Sequence, residues 1–327
     1  MPITSLGLAE GLPALVEQKY VIAEAENALT FSETQLAILH LDTIHFQLRF
    51  CPALSKKPVD DRSHPPDSAR TPKPDPFENP TGALLIAQIP VHKPTHSLVL
   101  NKYPVIPQHS ILATITYKEQ THLLEIGDLE VAYACLTAWE ADSAGSTPER
   151  RLFAFFNSGK HSGASQAHRH IQFLPIEQMG SSLSWKPLID LMNEPHYEAT
   201  EELPFTYFHT SIHKYPDPAD LMEKYVMLYH KAEAARLGKV TYSNRANISY
   251  NLAMTTTAMA ICPRTSESAR LAGATSNEDQ SSGVVAVNGT ILAGTLMVKT
   301  KSEWDRLRQN PEQLRDLLRS VGVPGDT

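Results

Sequence analysis

Apolar positions along this chain fall into short runs separated by polar turns, and their spacing changes from one stretch to the next. Between residues 6 and 28, Leu12, Leu15, Val16, Tyr20 and Ala23 recur at helical spacing, with Pro13 near the expected start. Ile44–Phe50 alternates apolar and polar as a strand does. Residues 84–89, 96–100 and 110–114 are apolar runs divided by proline-containing turns, which predicts an antiparallel meander. The spacing over 120–140 predicts an amphipathic helix covering that sheet, and residues 152–156 predict a buried strand. Helices are expected over 183–193 and 217–237, the second entered at Pro218 and left at Gly238. A strand pair follows at 248–255 and 259–264, where Arg264 closes a hairpin and is expected in solvent, with phosphate contact as the alternative. Residues 302–321 read as helix apart from Pro311, with Ser302 as the expected N-cap. Two stretches carry no periodicity. Residues 59–80 hold six prolines among charges and serines and are expected as an exposed insertion; residues 265–282 are polar and predict a surface loop. Strands grouped together, without regular strand–helix alternation, place the chain in the α+β class.

One stretch carries chemistry. From Gly163 to Pro175, His168, His170 and Gln172 occupy alternate positions, so an extended backbone puts all three side chains on one face. The turn before it, Asn157-Ser158-Gly159-Lys160-His161-Ser162-Gly163, is rich in glycine and hydrogen-bonding groups. Such a face suits phosphoryl chemistry, because a neutral imidazole is a nucleophile toward phosphorus and can carry the group covalently. His170, the middle member, is the expected nucleophile; His168 and Gln172 orient its ring and stabilise charge, and backbone N–H groups of the turn hold phosphoryl oxygens. Lys160 or His161 is a candidate proton donor to the leaving phosphate. No Gly-x-x-x-x-Gly-Lys-Ser/Thr motif occurs, which disfavours a P-loop triphosphatase. A zinc site using His168 and His170 with further ligands is the competing chemistry.

The run Asn157-Ser158-Gly159, followed by Ser165-Gln166-Ala167-His168-Arg169-His170-Ile171-Gln172, resembles the active-site segment of the histidine-triad superfamily in its nucleotidyltransferase branch. Three further segments, at 46–58, 96–107 and 293–299, resemble the fungal diadenosine tetraphosphate phosphorylase (ATP adenylyltransferase) family. The resemblance implies a histidine-triad-like α+β fold: a mostly antiparallel sheet with flanking helices, in two related halves. They are expected at about 1–150, with nucleotide-contacting strands, and 151–327, with the His-x-His-x-Gln segment. It implies phosphorolysis of diadenosine tetraphosphate to ADP and ATP through an adenylyl-histidine. It also implies nucleotide or phosphate contacts at Lys57 (preferred over Lys56), Asn101, Lys102, Asn157, Gly163, Ala164, Ser165, Gln166, Asn288, Gly289, Thr290, Thr295 and Lys299. A divalent cation, typically magnesium, is expected to accompany the polyphosphate, with no protein metal cage and no organic cofactor. The run Asn288–Gly294 departs from the family's Asn-Ser-Leu-Gly-Phe-Ala-Gly-like pattern: an aromatic is lost and a glycine moved. Gln172 in place of a third histidine cannot titrate, which favours an acceptor other than water. Another transferase of the branch acting on sugar nucleotides, and a nucleotide-binding protein without turnover, are the alternative readings.

Composition narrows the setting. The 327 residues are 42% hydrophobic and 20% charged, with a net charge of −7. That balance predicts an ordinary globular protein and argues against a nucleic-acid partner; the small nucleotides diadenosine tetraphosphate, ATP and ADP, with phosphate, are the partners that the resemblance implies. Cys51, Cys135 and Cys262 are few, scattered and odd in number, so they are expected as small buried residues in a reducing compartment. No apolar run approaches membrane-spanning length and Met1–Ser5 opens no signal sequence, so no membrane partner is expected and the cytoplasm, or the nucleus, is the expected location. The sequence sets no oligomeric state beyond the single chain as its simplest expectation.

Overall fold

Short apolar runs joined by tight turns pair with their chain neighbours, because each hairpin needs only a few residues of connection. The computed structural model of the chain describes residues 3–53, 74–141, 150–180, 185–194, 203–273 and 283–325. Strands β1 (Gln35–Leu41) and β2 (Ile44–Phe50) form the first hairpin. The expected meander then appears as β3 (Leu85–Ile89), β4 (His96–Leu100) and β5 (Ser110–Thr114). With β6 (Leu152–Ser158), β7 (His170–Pro175), β8 (Phe208–Ser211), β9 (Ser249–Met254) and β10 (Ala258–Arg264) it builds an eight-stranded sheet in the order β3-β4-β5-β7-β6-β9-β10-β8. All of its pairings are antiparallel.

Both faces of this sheet are covered, and the strand side chains sort between them by the alternation of the pleat. Helices α1 (Leu12–Ala25), α2 (Ile126–Ala141) and α4 (Pro218–Leu237) lie on one face, over Leu98, Leu112, Phe156, Ile171, Phe173 and Leu252. The other face packs Phe153, Phe155, Leu174 and Ala253 against β1 and β2, against α3 (Leu188–Met192), and against the C-terminal helices α5 (Lys301–Gln309) and α6 (Glu312–Val321). Ile171 and Phe173 thus face the helices, while His170 and Gln172 of the same strand face the opposite layer. Strands β11 (Ser268–Arg270) and β12 (Val284–Ala286) form a small ribbon, and β13 (Thr295–Val298) joins β2 in parallel, with Thr295 opposite Gln47 and Val298 opposite Phe50.

Helix α4 has the ends its sequence prescribes: Asp217 caps it by accepting from the Asp220 N–H, and Gly238 leaves it at φ 68°. Three expectations are corrected. The helix expected from residue 120 begins only at Ile126, because residues 118–120 are drawn into backbone pairing with the histidine segment: the Gln120 N–H donates to Ala167 O and the Arg169 N–H to Lys118 O. Tertiary pairing overrides a periodic pattern here. The cap of α5 is Thr300 rather than Ser302, because Thr300 and Glu303 stand at capping-box spacing and exchange both bonds. The end of the proline-rich stretch is not wholly exposed: Pro74, Pro76, Glu78 and Asn79 are, but Phe77 is buried with Val99 and Ala113, while residues 59–73 lie outside the described ones. Cys51, Cys135 and Cys262 are free and buried, as expected, and burial pushes their thiols up. Among the described residues no helix is long and apolar enough to cross a membrane.

Candidate active site

A strand buried on both faces must find partners for any polar group it carries, and the start of β7 is where this chain does so. The ladder between β6 and β7 runs from Leu152 opposite Pro175 to Phe155 opposite Gln172, where it opens. The carboxamide of Gln120 fills the gap. Its Nε2 donates to Asn157 O (2.8 Å) and His170 O (3.2 Å), while its Oε1 accepts from the His170 N–H at 2.8 Å. A side chain therefore replaces one rung of the sheet and fixes the backbone on both sides of His170. On the helical face, the Arg169 guanidinium bonds Asp128 at 2.8 Å and Glu125 at 2.9 Å, anchoring the residue between the two histidines.

The His170 ring is 2% exposed, and its Nδ1–H donates to the backbone carbonyl of His168 at 2.8 Å. That bond selects the tautomer whose lone pair lies on Nε2. Burial pushes the ring's pKa down from 6.5 to about 4; the neighbouring His168 adds to this, while the carbonyl bond and the Asp75 carboxylate oppose it. A depressed value leaves the ring neutral and nucleophilic at neutral pH. Activity is then expected to stay level as pH falls from 7 to 5 and to drop only as pH passes about 4. A kcat/KM profile whose acid limb sits near 6.5 would show a solvated ring instead. The same shift costs stability in acid: between 6.5 and about 4 the unfolded chain takes up this proton first, so folding weakens as pH falls through that window.

Both ring nitrogens of His168 are engaged, Nδ1 by Asp75 Oδ2 at 2.7 Å and Nε2 by Thr114 Oγ1 at 3.0 Å. The pair is therefore not arranged to share a zinc ion, and among the described residues no three His, Cys, Asp or Glu side chains gather as a cage. Gln172 is oriented by a chain of two bonds. Asn101 Nδ2 donates to His109 Nδ1 at 3.0 Å, which puts the His109 proton on Nε2; that proton is donated to Gln172 Oε1 at 3.0 Å. The Gln172 amide oxygen is thereby occupied, and its NH2 group remains as a donor.

The other flank of His170 is polar. Asn157, 2% exposed, accepts through Oδ1 from Asn251 Nδ2 (2.8 Å) and from the Gly289 N–H (2.9 Å). Gly163 adopts φ 80°, and a Cβ there would lie 2.7 Å from Asn288 Cβ; a Cβ on Gly289 would lie 2.8 Å from Asn157 Oδ1. Thus Asn157, Gly163, Asn288 and Gly289, distant in sequence, meet in one close-packed corner, and the displaced glycine of the Asn288 run is required by that contact. The backbone N–H groups of Gly163, Ser165 and Gln166 donate to no acceptor among the described residues, which leaves them available to an anion.

Arg264 stands behind this corner, buried rather than solvated. Its guanidinium donates to Asn251 Oδ1, Val321 O, Ser266 O and Val287 O. Each buried acceptor left unmade costs about 1–3 kcal/mol, so Arg264→Met is expected to destabilise the fold by at least about 2 kcal/mol. Urea denaturation checks this: the midpoint falls at an unchanged slope.

The other expected residues are engaged elsewhere or exposed. Thr290 and Thr295 are buried in bonds to Asn288, to each other's turn and to Gln47. Lys102 is exposed, with its ammonium 5.7 Å from the Tyr103 ring centroid. Lys299 follows β13, its N–H donated to Glu303. Lys160 is exposed, and the His161 N–H is tied to Ser249 Oγ. Lys57 and Lys56 lie outside the described residues. A 570 Å³ cleft beside α3, lined among others by Arg151, Trp185 and Asp190, holds none of the site residues. Sequence reasoning missed Asp75, Phe77, His109, Thr114, Gln120 and Asn251.

Comparison with known proteins agrees along the whole length. Residues 6–194 match the family model of the Ap4A phosphorylase N-terminal domain, and residues 201–324 that of the ATP adenylyltransferase C-terminal domain. The chain is 26% identical to diadenosine 5',5'''-P1,P4-tetraphosphate phosphorylase 2 of Saccharomyces cerevisiae, over 97% of this chain and 96% of that protein. It is 24% identical to Protein APA1 of the same yeast, over 98% of this chain and 96% of that one. Its fold superposes on the crystal structure of yeast Ap4A phosphorylase Apa2 with a TM-score of 0.76 at 22% identity, covering all of both chains. With the Ap4A complex of that enzyme the TM-score is 0.77 at 24% identity, covering 98% of this chain and all of the other.

Proposed function

The chain belongs to the Ap4A phosphorylase family, and from that premise we propose that it converts diadenosine tetraphosphate and inorganic phosphate into ADP and ATP, reversibly, by way of an adenylyl group on His170. The observation that carries this reading is the state of His170: neutral, buried, and held by its Nδ1–H so that Nε2 presents the lone pair.

In the first step Nε2 forms a bond to the α-phosphorus of one adenosine. The bond from that phosphorus to the bridging oxygen breaks, and its electron pair leaves with ATP. In the second step an oxygen of inorganic phosphate attacks the same phosphorus, the N–P bond breaks, and its electrons return to Nε2 as ADP is released. Charge grows on the phosphoryl oxygens in both steps. The Gln172 NH2 group and the N–H groups of Gly163, Ser165 and Gln166 are the donors that stabilise it, and Asn251, whose Nδ2 donates to both Asn157 Oδ1 and Ser162 O, ties their loop to β6. His168 serves through its backbone carbonyl, fixing the tautomer of the nucleophile. Magnesium enters as part of the substrate, chelated by the polyphosphate. The three buried thiols support a reducing, cytoplasmic setting.

Nucleotide separation after incubation with diadenosine tetraphosphate and magnesium, with and without phosphate, tests the reading. Equal ADP and ATP, formed only with phosphate, are expected, and EDTA should stop turnover without unfolding the protein. AMP and ATP without phosphate would make the protein a hydrolase. Turnover confined to sugar nucleotides would place it elsewhere in the branch, and binding without products would reject catalysis.

A further inference from the structure

The function proposed above raises a question that His170 alone does not answer. An adenylyl-histidine is reactive toward water as well as phosphate, and water is far more abundant. Water attack would release AMP, with the N–P electrons returning to Nε2 and one proton of the water passing to solvent. Phosphate attack gives ADP. Which acceptor wins depends on what surrounds the N–P bond.

The two flanks of His170 differ sharply. One holds Asn157, Gly163, Gly289 and Gln172, all polar. The other is closed by Phe77, whose ring centroid lies 5.0 Å from that of His170 and 5.9 Å from that of His168. Phe77 is 5% exposed, nested against Val99 and Ala113, with Leu85 and Ile111 beside them. It comes from no strand or helix, so something must hold it. Asp75 does: its Oδ1 accepts from the Phe77 N–H at 2.9 Å, while its Oδ2 accepts from His168 Nδ1 at 2.7 Å. One carboxylate thereby grips both the aromatic residue and the histidine beside the nucleophile. Its bond to His168 is charge-assisted and largely shielded, since the His168 side chain is only 2% exposed.

We propose that Asp75, acting through His168, is a positioning residue that holds Phe77 against His170 as an apolar wall, so that the adenylyl intermediate is open only on its polar flank and passes to phosphate rather than water. This rests on the adenylyl-transfer reading. The polar flank receives a charged acceptor through the Gln172 amide and the loop N–H groups, whereas the Phe77 ring that faces His170 on the other flank offers a water molecule no hydrogen-bonding site. The same arrangement gives His168 a purpose other than ligation: it is the strut between carboxylate and strand.

The test is the product ratio. With diadenosine tetraphosphate, magnesium and subsaturating phosphate, the AMP:ADP ratio is measured for the unaltered protein and for Asp75→Ala, Asp75→Asn, Phe77→Ala and Phe77→Leu. Because the ratio is set after the intermediate forms, it does not depend on how much of a variant is folded. Asp75→Ala and Phe77→Ala are expected to raise AMP:ADP about tenfold, and Phe77→Leu, which keeps an apolar wall, to stay within about threefold of the original. A ratio unchanged in Asp75→Ala and Phe77→Ala, however much total turnover falls, overturns the proposal, as does a Phe77→Leu ratio equal to that of Phe77→Ala. Failure of the unaltered protein to make ADP is a separate result, and it counts against the function itself.

Discussion

His170→Ala is expected to lower diadenosine tetraphosphate turnover on the order of 10⁴-fold or more and to leave no label on the protein when the substrate carries an α-phosphate label. The size follows from the chemistry. Without the imidazole there is no covalent intermediate, and the remaining groups can only bind the substrate and stabilise charge, which serves a direct attack poorly. The fold should survive, because the backbone N–H and C=O of residue 170 keep their bonds to the Gln120 carboxamide whatever the side chain. An alanine variant that unfolds at the same urea concentration, binds nucleotide and turns over within tenfold of the original would remove His170 from the nucleophile's role.

The second large effect is expected from Gln172→Glu, a change of one atom pair that costs about 10²–10³ in kcat. His109 donates to Oε1 and would donate as readily to a carboxylate, so the side chain stays in place. What disappears is the NH2 donor, and what arrives is a negative charge beside phosphoryl oxygens that grow more negative in the transition state. The loss should fall mainly on kcat, since the interaction strengthens as charge develops. Equal kcat values for the two proteins in steady-state assays would mean that Gln172 faces away from the reacting phosphorus.

Much of the fold was legible because its signals are local. The meander over β3 to β5, the strand pair β9–β10 and the caps of α4 follow from alternation, turn residues, Asp217 and Gly238, none of which needs the rest of the chain. The alternation of His168, His170 and Gln172 also holds, because the period of a strand is fixed by the backbone. What escaped was supplied from a distance. Gln120 carries no mark in its own sequence; its carboxamide matters only because β6 and β7 part at one point. Arg264 closes a hairpin, and the pairing alone gives no sign that α6 and the Asn288 turn bring carbonyls onto it. Asp75 and Phe77 sit in a stretch whose prolines predict solvent, yet one carboxylate and one histidine are enough to draw its end into the site. Asn251 did leave a signal, as a polar residue facing inward from an apolar strand, and such residues are the ones to question first in related chains.

The pairing of β2 with β13 has a bearing on biosynthesis. Residue 295 follows residue 50 by 245 positions. At about 5–20 residues per second a ribosome needs roughly 12–50 s to cover that interval. Throughout it β2 has only β1 beside it, and its far edge, carrying Phe46 and Leu48, has no partner strand. The Asn288–Gly289 turn that completes the polar corner emerges just ahead of β13, so premature termination anywhere upstream yields a chain with an unpaired edge and an incomplete catalytic centre. Competence and protection from aggregation therefore arrive together, with the segment that runs from Asn288 to Val298.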